Sequence, residues 1–194
     1  TGILEKLSVD KNIQMALNVN PGATKVVAIL DNTVTGQAER KNFYSVEENY
    51  PDLEFKEINA SELSTARLQS AISKVDDKTI LIYISMAEDA SGKQYTSLQG
   101  VRMVTNYAKV PVYRMVEAGI GDGLLGGNVV SMYKSGEIAA QIAMDILNGT
   151  DSGEINVVQD SPNIYCVDET VMRKFGLAAR QFPEDTVFVN HEEN

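Results

Sequence analysis

The sequence predicts a doubly wound α/β domain on a parallel sheet. Three observations carry this. Short apolar runs alternate with amphipathic stretches of helical length; the runs are apolar on consecutive positions, as in strands covered on both faces; and Pro, Gly, Asn and Asp punctuate the junctions. Strands alternating with helices call for βαβ units with right-handed crossovers.

The elements follow in order. After a cap at Asp10, Ile13, Leu17 and the adjoining Met15 and Ala16 mark a first helix, stopped by Asn20-Pro21-Gly22. The run KVVAIL then reads as a buried strand. The unit repeats with a helix over 36–49, the strand LEFKEINA, a helix over 62–75 whose apolar positions are Leu63, Leu68, Ala71, Ile72 and Val75, and the strand TILIYIS. A helix over 94–108 and the strand PVYRMV follow.

Beyond Gly127 the pattern changes. NVVSMY is a candidate strand, and KSGEIAAQIAMDILNG is a helix with Ile138, Ile142 and Ile146 four apart and Gly149 as a natural C-cap. Its apolar positions also include Ala139, Ala140, Ala143, Met144 and Leu147. That stripe is too wide for a helix with one solvated face, so the helix calls for cover on two sides. A polar loop, the strand NIYCVD, a short helix in ETVMRKFG and an extended acidic end complete the chain.

Composition excludes several classes of function. Hydrophobic residues make up 43% and charged residues 23%, as in a globular domain. The net charge of -10 is broken by no cluster of Lys and Arg, so nothing here neutralises a nucleic-acid backbone or favours an anionic membrane face. A single cysteine, Cys166, permits no internal disulfide and no Cys-based zinc site; it lies in an apolar run and reads as buried filler. The only histidine, His191, sits near the end and reads as solvated. No apolar stretch reaches the ~18 residues of a membrane span. The first residues carry no signal-peptide pattern and no initiator Met, and read as the middle of a longer chain.

In an open parallel sheet, ligands bind outside the carboxyl ends of the strands. Three polar loops fall on that edge: Asp31-Asn32-Thr33-Val34-Thr35-Gly36, Ser85 through Gly92, and Glu117 with the glycines after it. Hydroxyls and amides leading into helix N-termini form hydrogen-bonding cradles, although the same residue types are caps first. An enzyme needs more. There is no Gly-x-Ser-x-Gly elbow, Walker loop or His-Glu-x-x-His, and the carboxylates Asp31, Glu88, Asp89, Glu117 and Asp122 read as solvated loop acids before they read as an acid–base pair. The residues indicate no metal, no catalytic group and no cofactor.

One motif tests that conclusion. Gly121-Asp122-Gly123-Leu124-Leu125-Gly126 has the spacing of a dinucleotide fingerprint, which works only where a strand passes through the glycine loop directly into a helix. Here the glycines lead into an extended stretch, the helix is expected only near Ser135, and the motif follows the fourth strand rather than the first. The glycines therefore read as a flexible, close-approach connection.

The opening Thr1-Gly2-Ile3, the segments ALNVNPGATKVVAILDNTVTG and VPVYRMVEAGIGDGLLGG, the helix YKSGEIAAQIAMDILNG and the ending SPNIYCVDETVMRKFGLAARQFPEDTVFVN stand in a telling order. That order resembles type 1 periplasmic binding proteins, in particular the branch of ABC-transporter substrate-binding proteins that also serves as extracytoplasmic sensor domains of bacterial histidine kinases and diguanylate cyclases. The resemblance spans essentially the whole chain. It implies two α/β lobes joined by a hinge and closing on a small ligand. Residues 1–127 would be the ligand-binding lobe, and 128–194 the crossover strand, helix and return segment. The helix over 135–148 would pack on a first lobe expected before Thr1 or, failing that, on a second copy of the chain.

The same resemblance places the ligand-facing positions at Asn32, Thr33, Thr35 and Gly36, at Ser85, Glu88 and Asp89, and at Glu117 and Gly119, with Tyr83 and Tyr113 in core or hinge. The composition of the loops favours a small polar ligand, an amino acid or amide among the options. The leading expectation is a non-enzymatic, extracytoplasmic sensor module, membrane-anchored in its parent protein. The alternatives are a solute-binding component of an ABC transporter and an α/β enzyme using the loop carboxylates.

Overall fold

In the computed structural model, which describes residues 1–191, the alternation expected from the sequence is present throughout. The elements are β1 (Gly2–Ile3), α1 (Val9–Val19), β2 (Lys25–Leu30), α2 (Val34–Tyr44), β3 (Glu54–Asn59), α3 (Thr65–Ser73), β4 (Thr79–Tyr83), α4 (Ser97–Tyr107), β5 (Val112–Arg114), β6 (Gly126–Val130), α5 (Met132–Leu147), β7 (Val157–Val158), β8 (Asn163–Asp168), α6 (Glu169–Lys174) and β9 (Val187–Val189). A seven-stranded sheet runs β3-β2-β4-β5-β6-β8-β9, and β1 pairs with β7 apart from it. Every neighbouring pair in the large sheet is parallel except β6 and β8. Strand order reverses between β2 and β4, which makes the crevice at their carboxyl ends the topological switch point.

The consecutive apolar runs have the expected cause. In β2, Val26, Ala28 and Leu30 join one core with α1, Phe43 of α2 and Met172 of α6; Val27 and Ile29 join the other with Leu68 and Ile72 of α3 and Val101 and Val104 of α4. Side chains alternate across a strand, so covering both faces requires apolar residues at every position.

Element boundaries shift where local chemistry overrides periodicity. The helix expected over 36–49 ends at Tyr44, and Glu47–Asn49 forms a separate 3₁₀ turn. The helix expected from 62 begins at Thr65 after a 3₁₀ turn at Ala60–Glu62. Thr96 and Gln99 form a capping box that starts α4 at Ser97 rather than 94. Ser8, not Asp10, caps α1. Ser131, read as part of a strand, instead caps α5, which therefore begins at Met132 rather than Ser135. Cys166 is buried. His191 is exposed, its Nδ1 against Oε2 of Glu169; the rest of the acidic end, 192–194, lies outside the described residues.

Residue 127 falls inside β6, and one sheet holds the strands on both sides of it. Gly126 and Gly127 let β6 pack tightly. A Cβ on Gly126, whose φ is +113°, would lie 2.0 Å from the Cys166 carbonyl oxygen, and one on Gly127 would lie 2.0 Å from Oδ1 of Asn12. That Oδ1 accepts the Asn128 N–H at 3.0 Å, so α1 is fastened to β6 through the glycine pair. α5 differs from every other long helix here: none of its residues is buried, and Tyr133 and Leu147 are 74% and 80% exposed.

Candidate ligand-binding edge

The three polar loops meet the carboxyl edge of the sheet, but the chain uses many of their groups itself. Asp31, at the end of β2 and 1% exposed, accepts from the Thr33 N–H (3.1 Å) and Thr33 Oγ1 (2.5 Å) through Oδ1, and from the Ala87 N–H (2.8 Å) through Oδ2. Thr33 Oγ1 in turn caps α2 by accepting the Gly36 N–H at 3.1 Å. Gly36 is required by close approach: a Cβ there would meet the Asp31 carbonyl oxygen and Oδ1 at 2.3 Å each. Thr33 and Gly36, expected to face a ligand, thus build the turn that holds the edge.

Asn32 is exposed, and its side-chain oxygen accepts from Arg40 and Asn59, each at 3.0 Å. Its Nδ2 donates to nothing among the described residues. Thr35, exposed on the first turn of α2, lines a cavity of about 170 Å³ with Leu7, Glu39, Ile84, Arg114 and Met115. Ser85 lies between β4 and α4, and its Oγ is buried without a hydrogen-bond partner.

Asp89 organises its own loop. At 2% exposure its carboxylate accepts from Tyr95 Oη (2.8 Å), the Ser91 N–H (2.9 Å), the Lys93 N–H (3.2 Å) and Thr65 Oγ1. Burial pushes its pKa up, and these hydrogen bonds outweigh burial and hold it below the ordinary aspartate value. Glu88 is exposed, with Oε2 against Nε2 of Gln94. Glu117 turns toward α5, accepting the Met132 N–H at 3.3 Å where a carboxylate complements the helix N-terminus. Gly119 sits at φ +98° beneath Leu124 and Val101, and its carbonyl closes the glycine loop by accepting from Asp122 and Leu124. Of the expected ligand-facing positions, Thr35 alone lines that cavity; Asn32 is exposed beside Arg40 and Asn59, Ser85 Oγ is sealed, Glu88 and Glu117 meet Gln94 and the Met132 N–H, and Gly119 closes its own loop.

Arg114, not among the expected positions, also stands at this edge. It is 9% exposed; Nη1 donates to the Tyr83 (3.0 Å) and Ile84 (2.5 Å) carbonyls and Nε to that of Ala118 (3.1 Å). Its guanidinium carbon lies 4.7 Å from the centre of the Tyr83 ring. The signal was present in PVYRMV, where one cation interrupts a run too apolar to hold it for solubility.

A doubly wound sheet with polar loops at its switch point is a ligand-binding architecture, and comparison gives it a family. Residues 1–184 match the family described as ABC transporter substrate binding protein. The chain belongs to that family. Its fold is accordingly that of the type 1 periplasmic binding proteins, as the resemblance implied. The chain is similar to a tyrosine-binding protein of Clostridioides difficile (strain R20291), 22% identical over 198 residues, covering 100% of this chain and 54% of that one.

Among solved structures of this kind, the ligand-free, open structure of a Clostridium difficile substrate binding protein with adhesive properties matches at a TM-score of 0.73, with 17% identity, over 99% of this chain and 63% of that one. The ABC domain in complex with L-Trp from Streptococcus pneumonia matches at 0.65 with 14% identity, covering 97% and 64%. The chain thus spans less than two thirds of the length of these substrate-binding relatives.

Proposed function

We propose that this chain forms the ligand-binding lobe and return segment of an extracytoplasmic, non-enzymatic solute-binding protein that captures an amino acid for an ABC transporter. The single observation that carries the reading is the carboxyl-edge cavity beside the switch point, polar at Thr35, Glu39 and Arg114 and apolar elsewhere, in a chain of the substrate-binding family. A small site with apolar walls and a few polar groups suits a compact zwitterion with an apolar side chain. The tyrosine-binding and L-Trp-bound relatives support an aromatic amino acid. The signalling module expected from the sequence would share this binding step; the family description favours carriage of a solute.

The mechanism is a clamp. A ligand held between two lobes shifts an open–closed equilibrium by its differential affinity for the closed state. This chain supplies one wall. The unburied α5 fits a role as the crossover that packs on the other lobe, or on a second copy of the chain where that lobe is missing. The test is thermal unfolding and calorimetry of the two-lobe protein that contains this chain, with L-tyrosine, L-tryptophan and a panel of other amino acids, sugars and purines. At a hundredfold excess over Kd, a ligand specific for the native state adds about 2.7 kcal/mol. Stabilisation by an amino acid supports the reading; none by any compound overturns it.

A further inference from the structure

We infer that Arg114 is the receptor for a ligand carboxylate at the carboxyl ends of β4 and β5. The inference rests on the reading that this edge binds a small ligand, and names the group that recognises it.

The guanidinium is buried without an anion. Among the described residues no carboxylate is hydrogen-bonded or ion-paired to Arg114. Three carbonyl oxygens and the face of Tyr83 offset part of the desolvation of the cation, since dipoles and a ring quadrupole both favour positive charge. They leave the cation without a hydrogen-bonded counter-ion, and a buried cation without one is costly. Burial lowers its pKa from the ordinary arginine value, yet a guanidinium stays charged at any physiological pH.

One donor nitrogen remains. Nε and Nη1 are occupied, while Nη2 bonds to nothing among the described residues. Nor is it fully enclosed: the only sealed polar side-chain atoms without partners among the described residues are Ser85 Oγ and Thr186 Oγ1. Arg114 lines the same cavity as Glu39 and Thr35, so an incoming carboxylate finds a cation, and an incoming ammonium finds a carboxylate. The other walls, Leu7, Ile84, Met115 and Val116, offer hydrocarbon. A role confined to stapling β4 to the loop after β5 needs only neutral donors; it explains the three carbonyl bonds and leaves the charge and Nη2 unused.

The test is calorimetry on the two-lobe protein that contains this chain with L-tyrosine and L-tryptophan against tyramine and tryptamine, which keep ring and amine and lack the carboxylate. The wild type is expected to bind the amino acids at least about tenfold more tightly than the amines, the scale of a lost hydrogen bond to a charged group. Arg114→Met is expected to erase most of that preference, and Arg114→Lys to keep part of it. Equal wild-type affinity for tyrosine and tyramine overturns the assignment while leaving amino-acid binding intact, as does Arg114→Met binding tyrosine at wild-type strength. Failure of the wild type to bind any of the four overturns both the proposed function and the receptor. If Arg114→Met does not fold, the wild-type comparison and Arg114→Lys decide.

Discussion

Oδ2 of Asp31 accepts the backbone N–H of Ala87 at 2.8 Å, tying the end of β2 to the loop after β4 across the switch point of the sheet. Because Oδ1 simultaneously orders Thr33, one buried carboxylate fixes two of the three loops at the ligand edge. Asp31→Asn keeps the volume but replaces one acceptor oxygen by a donor. Either amide orientation then sets N–H against N–H, at Ala87 or at Thr33. A loss of about 1–3 kcal/mol is expected, the range for an unsatisfied buried group, and urea unfolding measures it. Unchanged stability would mean that the loops are held by packing instead.

The glycines of two helices make opposite predictions. Ala is ordinarily better than Gly inside a helix by about 0.8–1.0 kcal/mol. At Gly36 the new methyl would sit 2.3 Å from two Asp31 oxygens, one of them backbone, so Gly36→Ala is expected to destabilise by about 1–3 kcal/mol. At Gly136 of α5 nothing lies within 4 Å, and Gly136→Ala is expected to stabilise. Thermal unfolding of the pair reads both signs, at about 2–4 °C per kcal/mol for a chain of this size.

Asp89 predicts a pH dependence. Its folded pKa lies below the unfolded value of about 3.9, so its contribution is complete above that value and is lost as pH falls through the folded one. Asp89→Asn removes the ionisation. The stability difference between wild type and variant is expected to stay constant from neutral pH down to about pH 5 and to shrink below about pH 4. Urea unfolding across that range tests it; a difference that grows on acidification would reverse the sign.

The alternation of strands and helices was legible because strands covered on both faces leave no polar positions to confuse the pattern, as in β2 and β4. Boundaries were less so. Ser131 reads as strand by neighbourhood and is a cap by geometry, a difference set by the Pro162 carbonyl that accepts its N–H and by the helix that follows. The ligand edge was legible as loops rather than as side chains. Thr33 and Asp89 have the chemistry of ligand contacts, but whether a hydroxyl or carboxylate faces a ligand or its own loop depends on the turn it makes. Arg114 lies within β5, where a cation at a ligand edge is hidden among strand residues rather than set apart in a loop. β1, β7 and β9 are too short to carry a periodic signal at all.

The last prediction concerns α5. Its stripe of Ile, Met and Leu called for cover on two sides, and the structure leaves Met132, Tyr133, Met144 and Leu147 more than half exposed. Large apolar side chains left exposed along a helix mark a candidate contact surface. Within the 194-residue chain, Tyr133→Lys with Leu147→Lys removes little buried area, since the two side chains are 74% and 80% exposed, so stability measured by urea at low concentration should change by no more than about 0.5 kcal/mol. Where another lobe or a second copy covers the helix, the same pair places two charges in an apolar contact and should weaken that association. Sedimentation against concentration separates the cases. An assembly of the wild-type chain that the double variant abolishes identifies a second copy as the cover. A monomeric wild-type chain that is stabilised when a separately produced first lobe is added, and a variant that is not, identifies the lobe. A large loss of stability in the isolated variant would show instead that α5 is already part of this chain's own core, and would remove the need for any cover.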